Sequence, residues 1–157
     1  MKTIEADIFE EFENRSNVML VAVNNCFHVM GGGIAKIIKN RYPKVYEADC
    51  RTEYGDIKKL GTYSFAKVGD GEKYIANLYG QFTYGKNHFG DRELSYDAFY
   101  NGFQKILKDI ENSEIKTVLV PYQIGCGLAR GNFEIVEKIL DTLSKSSTKD
   151  IVICKLN

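Results

Sequence analysis

At 157 residues the chain has the length of one domain with room for a real core, and 44% apolar against 27% charged residues is the balance of an ordinary soluble globular protein. Basic and acidic residues number 21 each, giving a formal net charge of zero with no basic run, which argues against nucleic-acid binding by bulk electrostatics. No apolar stretch approaches the roughly 20 residues that span a bilayer, and the opening MKTIEADIFEEF is too acidic for a signal peptide, so a cytoplasmic protein without a membrane partner is expected.

Helical and strand patterns alternate along the chain. Thr3–Phe9 starts with a short strand. Val18–Val23 is a continuous apolar run of strand length, the pattern of a strand buried on both faces. The stretch GIAKIIKNRY then places Ile34, Ile37, Ile38 and Tyr42 on one helical face, stopped by Pro43. A further helix follows, with Pro43 in its first turn and Gly55 beyond its end. GTYSFAKV and KYIANLYG read as two strands of a hairpin joined at Gly69–Gly71. Ser95–Ile110 spaces Phe99, Phe103, Ile106, Leu107 and Ile110 as a long amphipathic helix. KTVLVPY is a second fully apolar strand, and Asn132 caps a helix whose face carries Ile135, Ile139, Leu140 and Leu143. DIVICKL closes as a strand. Without repeats or linkers, the pattern predicts one α/β domain, residues 1–157, around a largely parallel sheet.

The two most apolar strands run into the two most glycine-rich loops, VNNCFHVMGGGIAK and PYQIGCGLARGNF, and each loop leads into a helix. Glycine is entropically costly, so such clusters mark places where the backbone itself approaches something closely. Phosphate oxygens are the usual partner, taking main-chain amides at the positive end of a helix. In open α/β sheets such loops meet at the carboxyl edge of the strands, and two cradles there suit a diphosphate. Tight packing alone is the alternative for either loop taken singly.

Named nucleotide motifs are absent. GGGIAK lacks G-x-G-x-x-G spacing and the Lys-Ser/Thr of a P-loop, and no G-x-S-x-G elbow occurs. Cys126, between two glycines, is either a thiol nucleophile or a small side chain under a crowded loop. Cys26, Cys50, Cys126 and Cys154 form no C-x-x-C pair and only two histidines are present, so neither a metal site nor a cofactor is expected and the thiols are read as free.

AVNNC…MGGGIAKIIKNRYP, YIANLYGQ and VPYQIGCGLARGNFEIV together resemble the macrodomain family over essentially the whole chain, in order. The resemblance is narrowest to the branch of the yeast-type ADP-ribose 1″-phosphate phosphatase, the terminal ADP-ribose protein glycohydrolase and the antitoxin that removes ADP-ribose from DNA. It implies a three-layer α/β sandwich with a mixed, mostly parallel central sheet flanked by helices. It also implies an ADP-ribose ligand, its 1″-phosphate, or ADP-ribosylated macromolecules as partners.

By that resemblance Asp7, with Ile8 beside it, meets the adenine; a carboxylate accepts from an amino group and rejects a carbonyl. Asn25 falls at the distal ribose, and Asn24, one out of register, points into the sheet. Gly31, Gly32 and Gly33, followed by Ile34, match the first loop. Ile124, Gly125, Cys126, Gly127 and Leu128 match the second, whose amides hold the phosphates. Phe133 either flanks the ligand or anchors its helix.

Two positions depart from the de-ADP-ribosylating relatives. Gln81 stands where they carry a lysine, and Ala129 where the protein glycohydrolase carries an aspartate. Glutamine forms no Schiff base and alanine moves no proton. Lys86, His88, Asp91 and Arg92 read as a polar loop. His28, in the first loop, is then the candidate general acid or base beside Asn25, being titratable near neutral pH. Hydrolysis of ADP-ribose 1″-phosphate is the leading expectation. A non-catalytic ADP-ribose binding module is the alternative, and removal of ADP-ribose from protein or DNA comes third.

Overall fold

The structure, a computed structural model, describes residues 1–84 and 92–156. Its centre is a six-stranded sheet in the order β1-β6-β5-β2-β4-β3, with strands Lys2–Glu5 (β1), Val18–Asn24 (β2), Tyr63–Lys67 (β3), Lys73–Tyr79 (β4), Thr117–Pro121 (β5) and Asp150–Lys155 (β6). All neighbours are parallel except β3 and β4, the hairpin expected around Gly69–Gly71. Parallel strands bury both faces, and β2 and β5 are accordingly buried along almost their whole length.

Side chains alternate across the sheet, so each face has its own core. Met19, Val21, Val118 and Val120 pack against Phe99, Phe103 and Ile106 of α4 (Tyr96–Asp109) and Val136 and Leu140 of α5 (Phe133–Lys145). On the other face Leu20, Ala22, Leu119 and Val152 meet Phe9 and Phe12 of α1 (Ile8–Asn14), Ile38 of α2 (Gly33–Arg41) and Val45 of α3 (Pro43–Cys50). Helices on both sides complete the three-layer sandwich.

Three expectations change. Thr3–Phe9 does not stay extended: Asp7 accepts from the amides of Phe9 at 2.8 Å and Glu10 at 3.3 Å and starts α1, whose short length left little periodic signal. On α2 Ile38 is buried while Ile37 is exposed, because a nine-residue helix at the rim covers the core with a narrow stripe. On α5 Val136 replaces Ile135 as the innermost residue, fixed by Asn132, which caps through the Glu134 amide at 2.9 Å. Ser95 likewise caps α4.

Candidate functional site

Because β1, β6, β5, β2 and β4 run the same way, their carboxyl ends share one edge of the sheet. A cleft of about 510 Å³ opens there. One wall is the loop after β2, with Asn25, Val29 and Gly31–Gly33 leading into Ile34 and Ala35 of α2. The other is the loop after β5, with Tyr122, Gln123, Ile124, Gly125, Gly127, Leu128 and Ala129. Gln81 and Tyr84 close the β4 end. A second concavity, about 610 Å³, lies at the opposite edge around Ser113, Lys116 and Lys149. It is a polar surface dip in which Lys149 Nζ is already bonded to the carbonyls of Ser113 and Ile115. Strand carboxyl ends are where such sheets take ligands.

The first wall is braced by Asn25. Its Oδ1 accepts from the Phe27 amide at 2.9 Å and its Nδ2 donates to the Val29 carbonyl at 2.7 Å, holding the loop in an Asx-type turn. Gly32 caps α2 without a side chain, leaving the first-turn amides uncapped at the positive end of the helix dipole. Gly33 follows at φ +55°, with open space where a Cβ would stand.

The second wall is shaped by a different constraint. Gly125 has φ +71°, and a Cβ on it would lie 2.9 Å from Leu94; the fold itself needs that glycine. At Gly127 φ is ordinary and a Cβ would meet nothing within 4 Å. The protein itself places no steric demand for glycine at that position. A Cβ on Gly32 would stand 3.0 Å from Leu128 Cδ1, so the two walls touch through Leu128, a side chain 74% exposed.

The structure brings most expected residues together in the cleft and leaves others outside it. His28 turns away from it. Its Nε2 sits 2.9 Å from the Thr52 carbonyl and 3.2 Å from Thr52 Oγ1, and its ring meets Tyr54 edge-on. It is not among the residues lining the cleft, so it does not stand in the site in which a general acid was expected. Cys126 also points inward: Sγ donates to the Ile124 carbonyl, and burial pushes its thiol up to about 11. That resolves its two readings in favour of a packed side chain. Phe133 packs edge-on to Tyr122, ring centroids 5.0 Å apart, and anchors α5. Asp7 and Ile8 lie on the same sheet edge, two strands beyond β5. Gln81 lines the cleft with Nε2 donating to the Thr83 carbonyl, and Ala129 is buried beside it. Lys86, His88 and Asp91 lie outside the described residues; Arg92 stacks over Tyr96 at 4.0 Å.

Tyr122 and Tyr84 were not anticipated. Tyr122 directly follows β5, and its position at a strand's carboxyl end was the available signal. Nor was the polar network beneath the first wall foreseen. Asp49 and Lys59 are buried, Tyr79 donates to Asp49 Oδ1 at 2.7 Å, and Lys59 Nζ donates to the Cys26 carbonyl. Burial raises the Asp49 carboxyl above its ordinary value, against the opposing pull of the Tyr79 hydrogen bond and the His28 and Lys59 charges. The network ties α3 and β4 to the loop that carries Asn25.

The Macro domain family model matches residues 21–156. An uncharacterized 17.5 kDa protein from the tk-vs intergenic region of Enterobacteria phage T4 is 39% identical over 156 residues, covering 98% of this chain and 94% of that protein. A DNA ADP-ribosyl glycohydrolase of Mycobacterium tuberculosis is 34% identical over 125 residues, 77% of this chain but 33% of the glycohydrolase, so the match spans about a third of that enzyme. Among solved structures, the macrodomain of Mycobacterium tuberculosis DarG aligns with a TM-score of 0.73 at 27% identity, covering 98% of this chain and 97% of that one. Thermosipho africanus DarTG in complex with ADP-ribose shares the fold, with a TM-score of 0.72 at 21% identity over 98% of this chain and 40% of that one. Family model, sequence relatives and sheet order agree, and the chain belongs to the macrodomain family.

Proposed function

We propose that the chain recognises ADP-ribose, laid along the carboxyl edge of the sheet. Adenine sits at Asp7 and Ile8, the diphosphate lies between the two glycine walls, and the distal ribose reaches Asn25 and Gln81. The observation that carries this reading is Gly127, bare where the fold makes no demand, facing a helix start with uncapped amides. The order of strands supports it as well. From β1 to β2 is three strand spacings, about 14 Å, a distance suited to an adenosine diphosphate running from Asp7 to the first wall.

Binding is the reading that the cleft supports best. Among the described residues lining it, the polar side chains are those of Asn24, Asn25, Gln81, Gln123, Tyr84 and Tyr122. Among the described residues lining the cleft there is no histidine, carboxylate, lysine or cysteine side chain, the usual general acids and bases. With His28 turned toward Thr52, the expected hydrolysis of ADP-ribose 1″-phosphate loses its general acid. Removal of ADP-ribose from DNA is the second reading, favoured by identity to a DNA ADP-ribosyl glycohydrolase. In that reading Asn25 and main-chain amides position water at the distal ribose, placing the chain in the de-ADP-ribosylating branch.

Phosphorus NMR on the purified protein with ADP-ribose 1″-phosphate, and separately with ADP-ribosylated DNA, tests both. Shifted diphosphate resonances without new phosphate or free ADP-ribose support a binding module. Growth of inorganic phosphate that survives His28→Ala would restore the phosphatase reading without the histidine, and free ADP-ribose from DNA would establish the second reading. Unshifted diphosphate resonances would contradict recognition itself.

A further inference from the structure

Away from the cleft, one edge of the sheet is open beside an exposed aromatic row. β3 is an outermost strand and pairs with β4 alone. At its two ends the Val68 amide donates to the Lys73 carbonyl and the Tyr79 amide to the Thr62 carbonyl, each at 2.9 Å. Antiparallel ladders alternate, so Thr62, Ser64, Ala66 and Val68 face β4, while the amides and carbonyls of Tyr63, Phe65 and Lys67 point outward. Among the described residues no loop takes these outward groups up. The pairing runs unbroken from Tyr63 to Lys67, with neither the bulge nor the proline that commonly blunts an edge strand.

Tyr63, Phe65 and Lys67 also share one face of the sheet, because side chains alternate along a strand. It is the face of α4, which packs on β4, whereas α3 covers β3 from the other side. Phe65 is left 51% exposed, although Ala76, its partner on β4, is fully buried. Tyr63 and Tyr74 flank its ring, with centroids 6.0 and 6.1 Å away. Charge is divided between the ends of this row. At one end Tyr63 donates to Oδ2 of the exposed Asp109 at 2.6 Å. At the other stands the half-exposed Lys67, 3.8 Å from Glu72.

We infer that β3 is a self-association edge, on which a second copy of this chain lays its own β3 antiparallel about Phe65. That register sets Phe65 against Phe65 and Tyr63 against Lys67, so the outward amides and carbonyls of all three residues pair across the junction. The arrangement is two-fold and isologous, the commonest symmetry of oligomers. The two Phe65 rings become a cross-strand pair and leave water together. Lys67 of each copy comes beside Tyr63 and Asp109 of the other, a cation against a ring and a carboxylate. The edge is thus complementary to itself, whereas an unrelated strand must bring a cation and an anion at the same spacing. Each copy keeps its cleft, because the two-fold reverses the strands and turns the two carboxyl edges in opposite directions.

Sedimentation equilibrium of the full chain, at concentrations up to about 1 mM to reach weak affinities, tests the inference through exposed charges alone. Lys67→Glu and Asp109→Lys each set like charges against one another at both contacts. Either variant by itself should dimerise at least about tenfold more weakly than wild type. Mixed in equal amounts, the two variants oppose unlike charges at both contacts, and the mixture should recover dimers to within about threefold of the wild-type affinity. Circular dichroism checks that each variant folds; Phe65→Ser, expected to weaken the dimer in the same way, takes the place of a variant that does not. A wild type that stays monomeric throughout would overturn the inference. So would variants that dimerise as strongly as wild type alone, or a mixture of the two charge variants no more dimeric than its components.

Discussion

At the scale of single residues, the glycines and cysteines separate demands of the fold from demands of a ligand. Gly125 is held at φ +71° with Leu94 at 2.9 Å from any Cβ, so Gly125→Ala should lower stability by about 1–3 kcal/mol. Gly127→Ala should leave the melting temperature within a degree or two of wild type, because nothing in the protein opposes the methyl. Its effect should fall on ADP-ribose affinity instead. Thermal denaturation with calorimetric titration of both variants checks the contrast, and a destabilised Gly127→Ala with intact binding would reverse it. The thiols divide in the same manner. Burial raises Cys26, Cys126 and Cys154, the last two to about 11, leaving roughly a thousandth of such a thiol ionised at pH 8. Cys50 is exposed. Iodoacetamide at pH 8 should modify Cys50 in the folded protein and spare the others, as peptide mass mapping would show. Fast labelling of Cys126 would revive it as a nucleophile.

At the scale of elements, Asp7 has two tasks that substitution can part. It caps α1 through Oδ1, accepting from both first-turn amides, which leaves Oδ2 for an adenine amino group. Asp7→Ala should cost about 1 kcal/mol of stability through the lost cap. It should also weaken ADP-ribose binding by about 1.5–3 kcal/mol through the lost charged hydrogen bond. Asp7→Ser keeps a capping oxygen, so it should restore the melting temperature and not the affinity. Equal affinity in all three proteins would move the adenine elsewhere. The network under the first wall makes a prediction about pH. A carboxyl raised in the fold contributes stability that is fully present below its ordinary value, about 4, and is lost as pH rises through the folded value. Asp49 is such a group, with burial as the main cause. Relative to wild type, the melting temperature of Asp49→Asn should therefore rise between pH 4 and pH 7. A constant difference across that range would show that the carboxyl is not raised.

At the scale of the whole molecule, the fold was legible wherever burial imposes a period. β2 and β5 announced themselves as unbroken apolar runs, and α4 and α5 by caps followed by 3.6-residue spacing. α1 was missed because seven residues behind a strand give less than two full turns of pattern. The glycine walls were legible because backbone chemistry is written as missing side chains. The orientation of His28 and the inward turn of Cys126 were not, since each depends on neighbours distant in sequence, such as Thr52 for His28. The order of strands is what gathers these parts, setting Asp7 at one end of an edge and Gln81 at the other. The most direct measurement of the central claim is a titration of the ¹⁵N-labelled protein with ADP-ribose, followed amide by amide. The account predicts saturable shifts at Gly31–Ile34, Ile124–Leu128 and Ile8, with Lys116 and Lys149 at the opposite edge unmoved. Shifts confined to that opposite edge, or none at saturating ligand, would contradict it.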